Sequence, residues 1–170
     1  MSDVTIRPAR AEDEPALAAL HRATWSSLAS PAPPPPAGAP FFAGRAAPED
    51  VLVADSGEGI VGYVHIGPAI PVPSNAHVMT VQGLGVDPAR RGEGIARRLV
   101  EAAVAAARQR GARRLTLRVL GHNTAARRVY EACGFVVEGV LRDEFLLDGR
   151  YVDDVLMARD LIPDDHEGAP

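Results

Sequence analysis

The sequence contains no lysine: all 18 of its basic residues are arginine. A Schiff base between enzyme and substrate needs a lysine amine, and the Walker-type phosphate loop needs a lysine beside the phosphates. The absence of lysine therefore excludes both of these enzyme classes.

Cysteine and long hydrophobic runs are also scarce. The one cysteine, Cys133, has no partner for an internal disulfide, and its helical setting predicts a small buried packing residue. No apolar run approaches the length needed to cross a bilayer, and the first residues lack the basic and apolar regions of a secretory signal. We therefore expect a soluble, cytoplasmic protein without a membrane partner.

Metal-ligand spacing is absent among the five histidines, so we expect no metal. The length of 170 residues suits one compact domain. We place this domain at residues 1–162 and expect residues 163–170 to be a disordered tail.

Charge is distributed unevenly along the chain. The net charge of −4 argues against a general nucleic-acid-binding protein. Residues 90–128 nevertheless contain 11 arginines and two acidic residues, a local balance of +9 that leaves −13 for the rest. Such a basic segment fits a polyanionic ligand held at one place, although helix positions such as Arg98 and Arg108 can also point to water without a partner.

Hydrophobic periodicity and turn residues predict the order of the elements. We expect helices at 12–26, 95–110 and 123–133, and strands at 4–7, 51–55, 60–66, 76–86, 115–120, 135–146 and 151–160. The helix at 95–110 connects strands 76–86 and 115–120 as a right-handed crossover, so these strands should be parallel neighbours. The proline-rich segment Ser30–Pro40 predicts an extended surface loop, which either lines a substrate entrance or only connects two elements.

The loop Asp87–Gly94 lies between a predicted strand end and a predicted helix start, where an anion can bind. The first amides of a helix have no intrahelical partners, the helix dipole adds partial positive charge, and glycines let a diphosphate approach closely. An ordinary tight connection is the other interpretation. Arg97 stands where a dinucleotide fingerprint needs a small residue, and no Gly-Lys-Ser/Thr follows, so both of those nucleotide motifs are excluded.

Two sequence blocks resemble the GCN5-related N-acetyltransferase (GNAT) superfamily. The first, Arg91-Gly92-Glu93-Gly94-Ile95-Ala96, is similar to its Arg/Gln-x-x-Gly-x-Gly/Ala motif, and Leu84-Gly85-Val86-Asp87-Pro88 precedes it as in that family. The second, Asn123 to Phe135, resembles the signature Asn-x-x-Ala-x-x-x-Tyr…Gly-Phe at the expected distance downstream. A weaker likeness at 138–157 is to the ribosomal-protein and polyamine acetyltransferase branch.

This resemblance implies an α/β (α+β) fold with a mixed, mostly antiparallel sheet of six or seven strands. Helices would lie on both faces, and a central β-α-β unit would bind acetyl-CoA. The implied activity is transfer of an acetyl group from acetyl-CoA, as co-substrate, to a primary amine of a small molecule or a protein N-terminus, by direct attack in a ternary complex. A homodimer is one expected assembly because dimers are common among relatives.

The resemblance also implies a set of site residues. The backbone at Leu84 and Val86 would pair with the pantetheine arm, and the Val86 N–H would polarise the thioester carbonyl. Amides of 91–96 would hold the diphosphate. Asn123 would bind the arm, with helix capping as its other interpretation. The full cofactor-binding set is Leu84, Gly85, Val86, Arg91, Gly92, Glu93, Gly94, Ile95, Ala96, Arg97, Asn123, Ala126 and Tyr130.

Tyr130 lies two helical turns after Asn123 and therefore faces the same side. The resemblance implies that its phenol is the general acid that protonates the departing CoA sulfur. A tyrosine that only packs on the sheet is the other interpretation.

The general base and the acceptor are left open. Relatives often use a glutamate on the strand before the motif, and 76–86 contains none, so His77, Gln82, His65 on the neighbouring strand, or a water relay are the candidates. Acceptor residues are expected in the loops 30–40 and 68–75. The rival interpretations are an acyl-CoA-binding sensor without turnover, transfer of a longer acyl group, and acetylation of a protein N-terminus or lysine instead of a small amine.

Overall fold

The computed structural model describes residues 3–44 and 46–162. Its α-helices are α1 (Glu14–Thr24), α2 (Ile95–Gln109) and α3 (Thr124–Ala132). Its strands are β1 (Thr5–Pro8), β2 (Val51–Asp55), β3 (Ile60–Pro68), β4 (Val78–Val86), β5 (Arg114–Leu120), β6 (Val136–Leu147) and β7 (Arg150–Asp160). The tail predicted at 163–170 lies outside the described residues.

The seven strands form one sheet in the order β1-β2-β3-β4-β5-β7-β6. The β4–β5 pair is parallel, and the other neighbours are antiparallel. Helix α2 makes the crossover between the two parallel strands. The expected mixed, mostly antiparallel sheet with a central β-α-β unit is therefore confirmed.

Strand side chains alternate between the two faces of the sheet, so each face has its own apolar side chains. Helices pack on both faces. We call these the α1 face and the α2 face. On the α2 face, residues of α2 and α3 share one core with strand residues, among them Leu99, Ala103, Tyr130, Val64 and Ile66. On the α1 face, the smaller core contains Leu17, Leu20, Val51, Val53 and Tyr63.

The parallel strands β4 and β5 separate soon after they meet. Their register runs only from the pair Val78–Arg114 to the pair Thr80–Thr116. Beyond that point β4 pairs with β3 alone, and β5 pairs with β7 as far as Leu120. The two strands therefore leave a gap between them in the second half of each strand.

A bulge lies on β4 beside this gap. His65 is opposite Gly83 and Ile66 is opposite Val81, so Gln82 is the extra residue. Gly83 follows the bulged residue, and a glycine inside a strand often marks such an irregularity.

The proline-rich segment 30–40 forms neither helix nor strand, as predicted. It is held at both ends. The Phe41 and Phe42 amides donate to the Glu14 carboxylate, and the Ser27 hydroxyl donates to Asp148 in the β6–β7 turn. The segment consequently crosses the sheet from α1 towards β7. Within the described ranges, none of the helices is both long and apolar enough to cross a membrane.

Candidate active site

The loop before α2 presents backbone amides to an open surface. Gly92 and Gly94 have φ values of 85° and 78°, in the left-handed region that favours glycine. A Cβ atom at either position would meet no atom within 4 Å, so the backbone conformation and not crowding requires glycine there. Helix α2 begins at Ile95, and its first amides face outward without intrahelical partners. The loop therefore has the backbone geometry that an anion site requires.

Most arginines of the basic segment are already used inside the chain. Arg90 pairs with Glu93 at 2.7 Å, and three others pair with acidic groups: Arg110 with Asp50, Arg114 with Glu138, and Arg118 with Asp154. The expectation that Arg98 and Arg108 have no partner is wrong, although both residues are exposed. Arg98 donates to the Val4 carbonyl at 2.6 Å and Arg108 to the Leu161 carbonyl at 3.1 Å.

Two arginines of the motif region remain for a ligand. Arg91 and Arg97 are exposed, and among the described residues neither has an ion pair. Of the segment's arginines that have neither an acidic nor a carbonyl partner among the described residues, these two are the ones that lie beside the α2 amides. An anion of the size of a diphosphate would find its charge balanced at that point.

The backbone of β4 directs specific amides into the gap. The Asp87 amide donates to the Val61 carbonyl of β3 at 2.8 Å. Successive amides of a strand point to opposite edges, so the Val86 and Leu84 amides point away from β3, into the space between β4 and β5. Gly85 lies between them and faces the α1 side, where an added Cβ would stand 2.7 Å from a Tyr63 ring carbon.

Asn123 caps helix α3, as the alternative interpretation predicted. Its side-chain oxygen accepts from the Ala126 amide at 3.2 Å. The side-chain amide nitrogen keeps its donors, so capping leaves Asn123 able to donate to a ligand. Both Asn123 and Ala126 are half-buried at the helix start.

Tyr130 is buried on the α2 face beside Phe135, with ring centroids 5.9 Å apart. Within the described part of the chain its hydroxyl makes no hydrogen bond, although it is not sealed from solvent. Burial chiefly, with smaller effects from Cys133 and Tyr63, raises the pKa of the phenol well above its ordinary value of 10. The hydroxyl therefore keeps its proton at neutral pH, as a general acid requires.

Sequence reasoning missed Tyr63. Its ring lies on the α1 face against Gly83 and Gly85, at 3.5 Å and 2.7 Å from the Cβ positions of those glycines. Burial raises its pKa to about 12, and the nearby Thr24 hydroxyl opposes that effect. Tyr63 and Tyr130 belong to the cores on opposite faces of the sheet. In the sequence, Gly83 and Gly85 indicate that a side chain packs closely on β4. They do not indicate which side chain it is.

The candidate bases occupy different places. His77 precedes β4, and its carbonyl accepts from the Arg113 amide, at the end where β4 and β5 are still paired. Gln82 projects from the bulge over Gly67. His65 lies opposite Gly83, with its Nε2 atom buried and without a partner among the described residues, and burial lowers its pKa.

The two loops proposed for the acceptor also lie apart. The segment 68–75 joins the end of β3 to the start of β4. Strand β4 then runs for nine residues before it ends at Val86, so this segment lies at the opposite end of β4 from the gap. The segment 30–40 lies on the same side as the gap, because Pro31 lines a cavity together with Arg118 and Leu120 of β5. In the described ranges no three His, Cys, Asp or Glu side chains are grouped as metal ligands.

Comparisons with known proteins agree with this geometry. The chain is 33% identical over 85 residues to YhfO of Bacillus subtilis, an uncharacterised N-acetyltransferase, and 30% identical over 103 residues to the spermidine N(1)-acetyltransferase of Vibrio cholerae. These matches cover 50% and 60% of this chain and 57% of each relative. The chain thus spans little more than half the length of these relatives.

The structure of yncA from Salmonella typhimurium, solved with its cofactor acetyl-CoA, superposes with a TM-score of 0.79 at 22% identity, over 99% of this chain and 98% of that one. This likeness shows the fold. The model of the acetyltransferase (GNAT) family matches residues 15–135, both motif blocks included, and the chain belongs to that family.

Proposed function

We propose that this protein transfers the acetyl group of acetyl-CoA to a primary amine, on a small molecule or a protein N-terminus, by direct attack in a ternary complex. Family membership supports acetyl transfer. The proposed donor is supported by the β4–β5 gap and the α2 amides, and by the acetyl-CoA bound in the yncA structure.

The residues of the gap fit the parts of acetyl-CoA one by one. Among the described strands the Leu84 and Val86 amides have no partner on the gap side, so they suit the amide groups of a pantetheine arm. The outward amides at the start of α2, with Arg91 and Arg97, suit the diphosphate. The free side-chain donors of Asn123 suit a carbonyl of the same arm.

Two groups have the chemistry for acetyl transfer. When bound, acetyl-CoA supplies a thioester whose acetyl group passes to the amine, with release of the CoA thiol. The Val86 N–H would donate to the acyl oxygen as negative charge develops there, and a well-aimed backbone donor suffices for this role. The Tyr130 hydroxyl would supply the proton that the departing sulfur needs. The proton of the attacking amine goes to solvent through a base, for which water is the simplest candidate, because the Nε2 atom of His65 is buried.

The single observation that carries this proposal is the position of the Val86 and Leu84 amides in an unpaired gap, at residues that pack against the same core as Tyr130. Two measurements test it. Acetyl-CoA should bind in calorimetry and raise the melting temperature, and an amine panel should release thiol from acetyl-CoA. Binding without thiol release for any amine would instead indicate a sensor, and absence of binding would refute both functions.

We further propose a cytoplasmic protein with one domain at 1–162 that forms a homodimer through β6. This strand is at the edge of the sheet, and apolar side chains on it are exposed: Val136, Val137, Val140, Leu141 and Leu146. An exposed edge strand with this composition supports pairing with a second copy. Light scattering on the purified protein measures the mass and decides the assembly.

A further inference from the structure

A small cavity lies on the α1 face beneath the proline-rich segment. Its volume is about 220 Å³, smaller than the roughly 300–1,000 Å³ of sites for drug-sized ligands. The walls are mostly apolar, and two charged side chains stand among them. The lining residues are Ala29, Pro31, Arg118, Leu120, Phe145 and Asp154.

The cavity adjoins the gap between β4 and β5. Thr116 is the last β5 residue in register with β4. Arg118 comes two residues later, so its side chain is the next one on the same face, at the point where the strands have separated. Leu120 follows on that face and is opposite Asp154 on β7. A ligand in this cavity would therefore approach the gap from the α1 side, opposite to Tyr130.

The two charged side chains in the cavity, Arg118 and Asp154, differ in solvent exposure. The Asp154 side chain is 3% exposed, whereas the Arg118 side chain is 57% exposed. Both Nε and Nη2 of Arg118 donate to the same oxygen, Oδ2, of Asp154. A buried carboxylate needs such a partner, and the double contact fixes the plane of the guanidinium group.

The fixed guanidinium group of Arg118 still has hydrogen-bond donors that Asp154 does not use. Its Nη1 atom has no partner among the described residues, and more than half of the side chain is open to solvent. Asp154 already neutralises one edge of the group, so the outer edge is the one that can accept an anion. A guanidinium edge matches the two oxygens of a carboxylate.

We propose that Arg118 binds the carboxylate of the acceptor, so that the amine substrate belongs to the class of small α-amino acids with an apolar side chain. This inference rests on the proposed acetyl transfer. The attacking amine must be neutral, so an amine held by a buried carboxylate would be a poor nucleophile, and Asp154 is instead a positioning residue for Arg118. The walls formed by Phe145, Leu120 and Pro31 fit the apolar side chain.

A substrate pair that differs only in charge tests the proposal. Leucine and leucinamide share the amine and the side chain, and the amide lacks the carboxylate. We expect kcat/KM to be about tenfold or more higher for leucine, and spermidine to be a poor acceptor. Equal values for the pair, or a preference for leucinamide or spermidine, would overturn the amino-acid assignment and leave acetyl transfer intact.

Variants of the charged pair identify the binding group. Arg118→Gln should raise KM for leucine about 10- to 100-fold, change kcat little, and alter the values for leucinamide less than threefold. Arg128→Gln, at an exposed position on α3, is the matched control and should retain the leucine preference. A loss of the same size for both substrates in Arg118→Gln would contradict the proposal.

Folding and turnover are controlled separately. If Arg118→Gln does not fold because Asp154 is left unpaired, the double variant Arg118→Gln with Asp154→Asn removes both charges and should show the same lost preference. A wild-type protein that binds acetyl-CoA and releases no thiol with any amine would refute the proposed function. In that case leucine binding to the CoA complex, measured by calorimetry and abolished in Arg118→Gln, still supports the carboxylate site, and no binding overturns it.

Discussion

The Asp87 amide donates a 2.8 Å hydrogen bond to the Val61 carbonyl, and this bond determines which way the next amide of β4 points. Because neighbouring amides alternate, the Val86 N–H is directed into the β4–β5 gap. The residue type at 86 matters little for this role, since the donor is the backbone. Only a residue without an N–H removes it.

Val86→Pro therefore tests the backbone donor. Proline lacks the N–H, and at this position it breaks no bond to β3, so we expect kcat to fall about 10²- to 10³-fold while the melting temperature changes modestly. Gly85→Pro is the control, because the N–H of Gly85 points to β3. Gly85→Pro should therefore lower the melting temperature more than Val86→Pro does. Full activity in a folded Val86→Pro protein would exclude the oxyanion role.

Arg97 and Arg98 are adjacent and should nevertheless respond differently to substitution. Arg97→Gln removes an exposed charge near the start of α2, so we expect the Kd for acetyl-CoA to rise about 10-fold, with unchanged stability. Arg98→Gln removes the donor to the Val4 carbonyl and should lower the melting temperature with little change in Kd. Calorimetry and thermal unfolding on both variants separate the effects. The reverse pattern would show that the phosphate site has been assigned to the wrong side of the helix.

Asn123 has two proposed roles, helix capping and hydrogen-bond donation to acetyl-CoA, and two substitutions can distinguish them. Asn123→Ala removes the cap, which should cost about 0.5–2 kcal/mol of unfolding free energy, and also removes the side-chain donors. Asn123→Asp keeps a capping oxygen but has no amide donor, so its stability should stay near wild type while the Kd for acetyl-CoA rises. Chemical denaturation and calorimetry measure the two quantities. Wild-type affinity in Asn123→Asp would leave Asn123 with capping alone.

Much of this architecture was predictable because its signals are local. The crossover around α2 follows from hydrophobic periodicity over a short span, and the turns at Gly92 and Gly94 follow from the need for positive φ. The resemblance to the GNAT superfamily was carried by residues within these same local segments, and the family match confirmed it.

Side-chain pairing over long sequence distances was not predictable. Arg98 and Val4 are 94 residues apart, and Arg118 and Asp154 are 36 apart, so no local pattern signals either contact. The charge count of the basic segment overestimates the ligand site, because the fold brings acidic groups to four of its 11 arginines and backbone carbonyls to two more. Tyr63 escaped notice for the same reason, since its neighbours Gly83 and Gly85 belong to another strand.

The buried tyrosines predict a loss of stability in alkali. Burial raises the pKa of Tyr63 to about 12 from an ordinary value of 10, and raises the pKa of Tyr130 as well. Below pH 10 both the folded and the unfolded chain keep these protons, so the free energy of unfolding is insensitive to them. Above pH 10 the unfolded chain loses the protons and the folded chain retains them. Stability should then fall by about 1.4 kcal/mol per pH unit for each such tyrosine.

Tyr63→Phe measures how much the Tyr63 phenol contributes to this loss of unfolding free energy above pH 10. Denaturation at pH 9 and pH 11 should show a smaller difference in unfolding free energy for this variant than for wild type, because one titrating phenol has been removed. Tyr151→Phe, at a position that is 69% exposed, is the control. An unchanged pH 9 to pH 11 difference in Tyr63→Phe would mean that the Tyr63 hydroxyl reaches solvent. It would then be available to the acceptor side of the gap, together with Arg118.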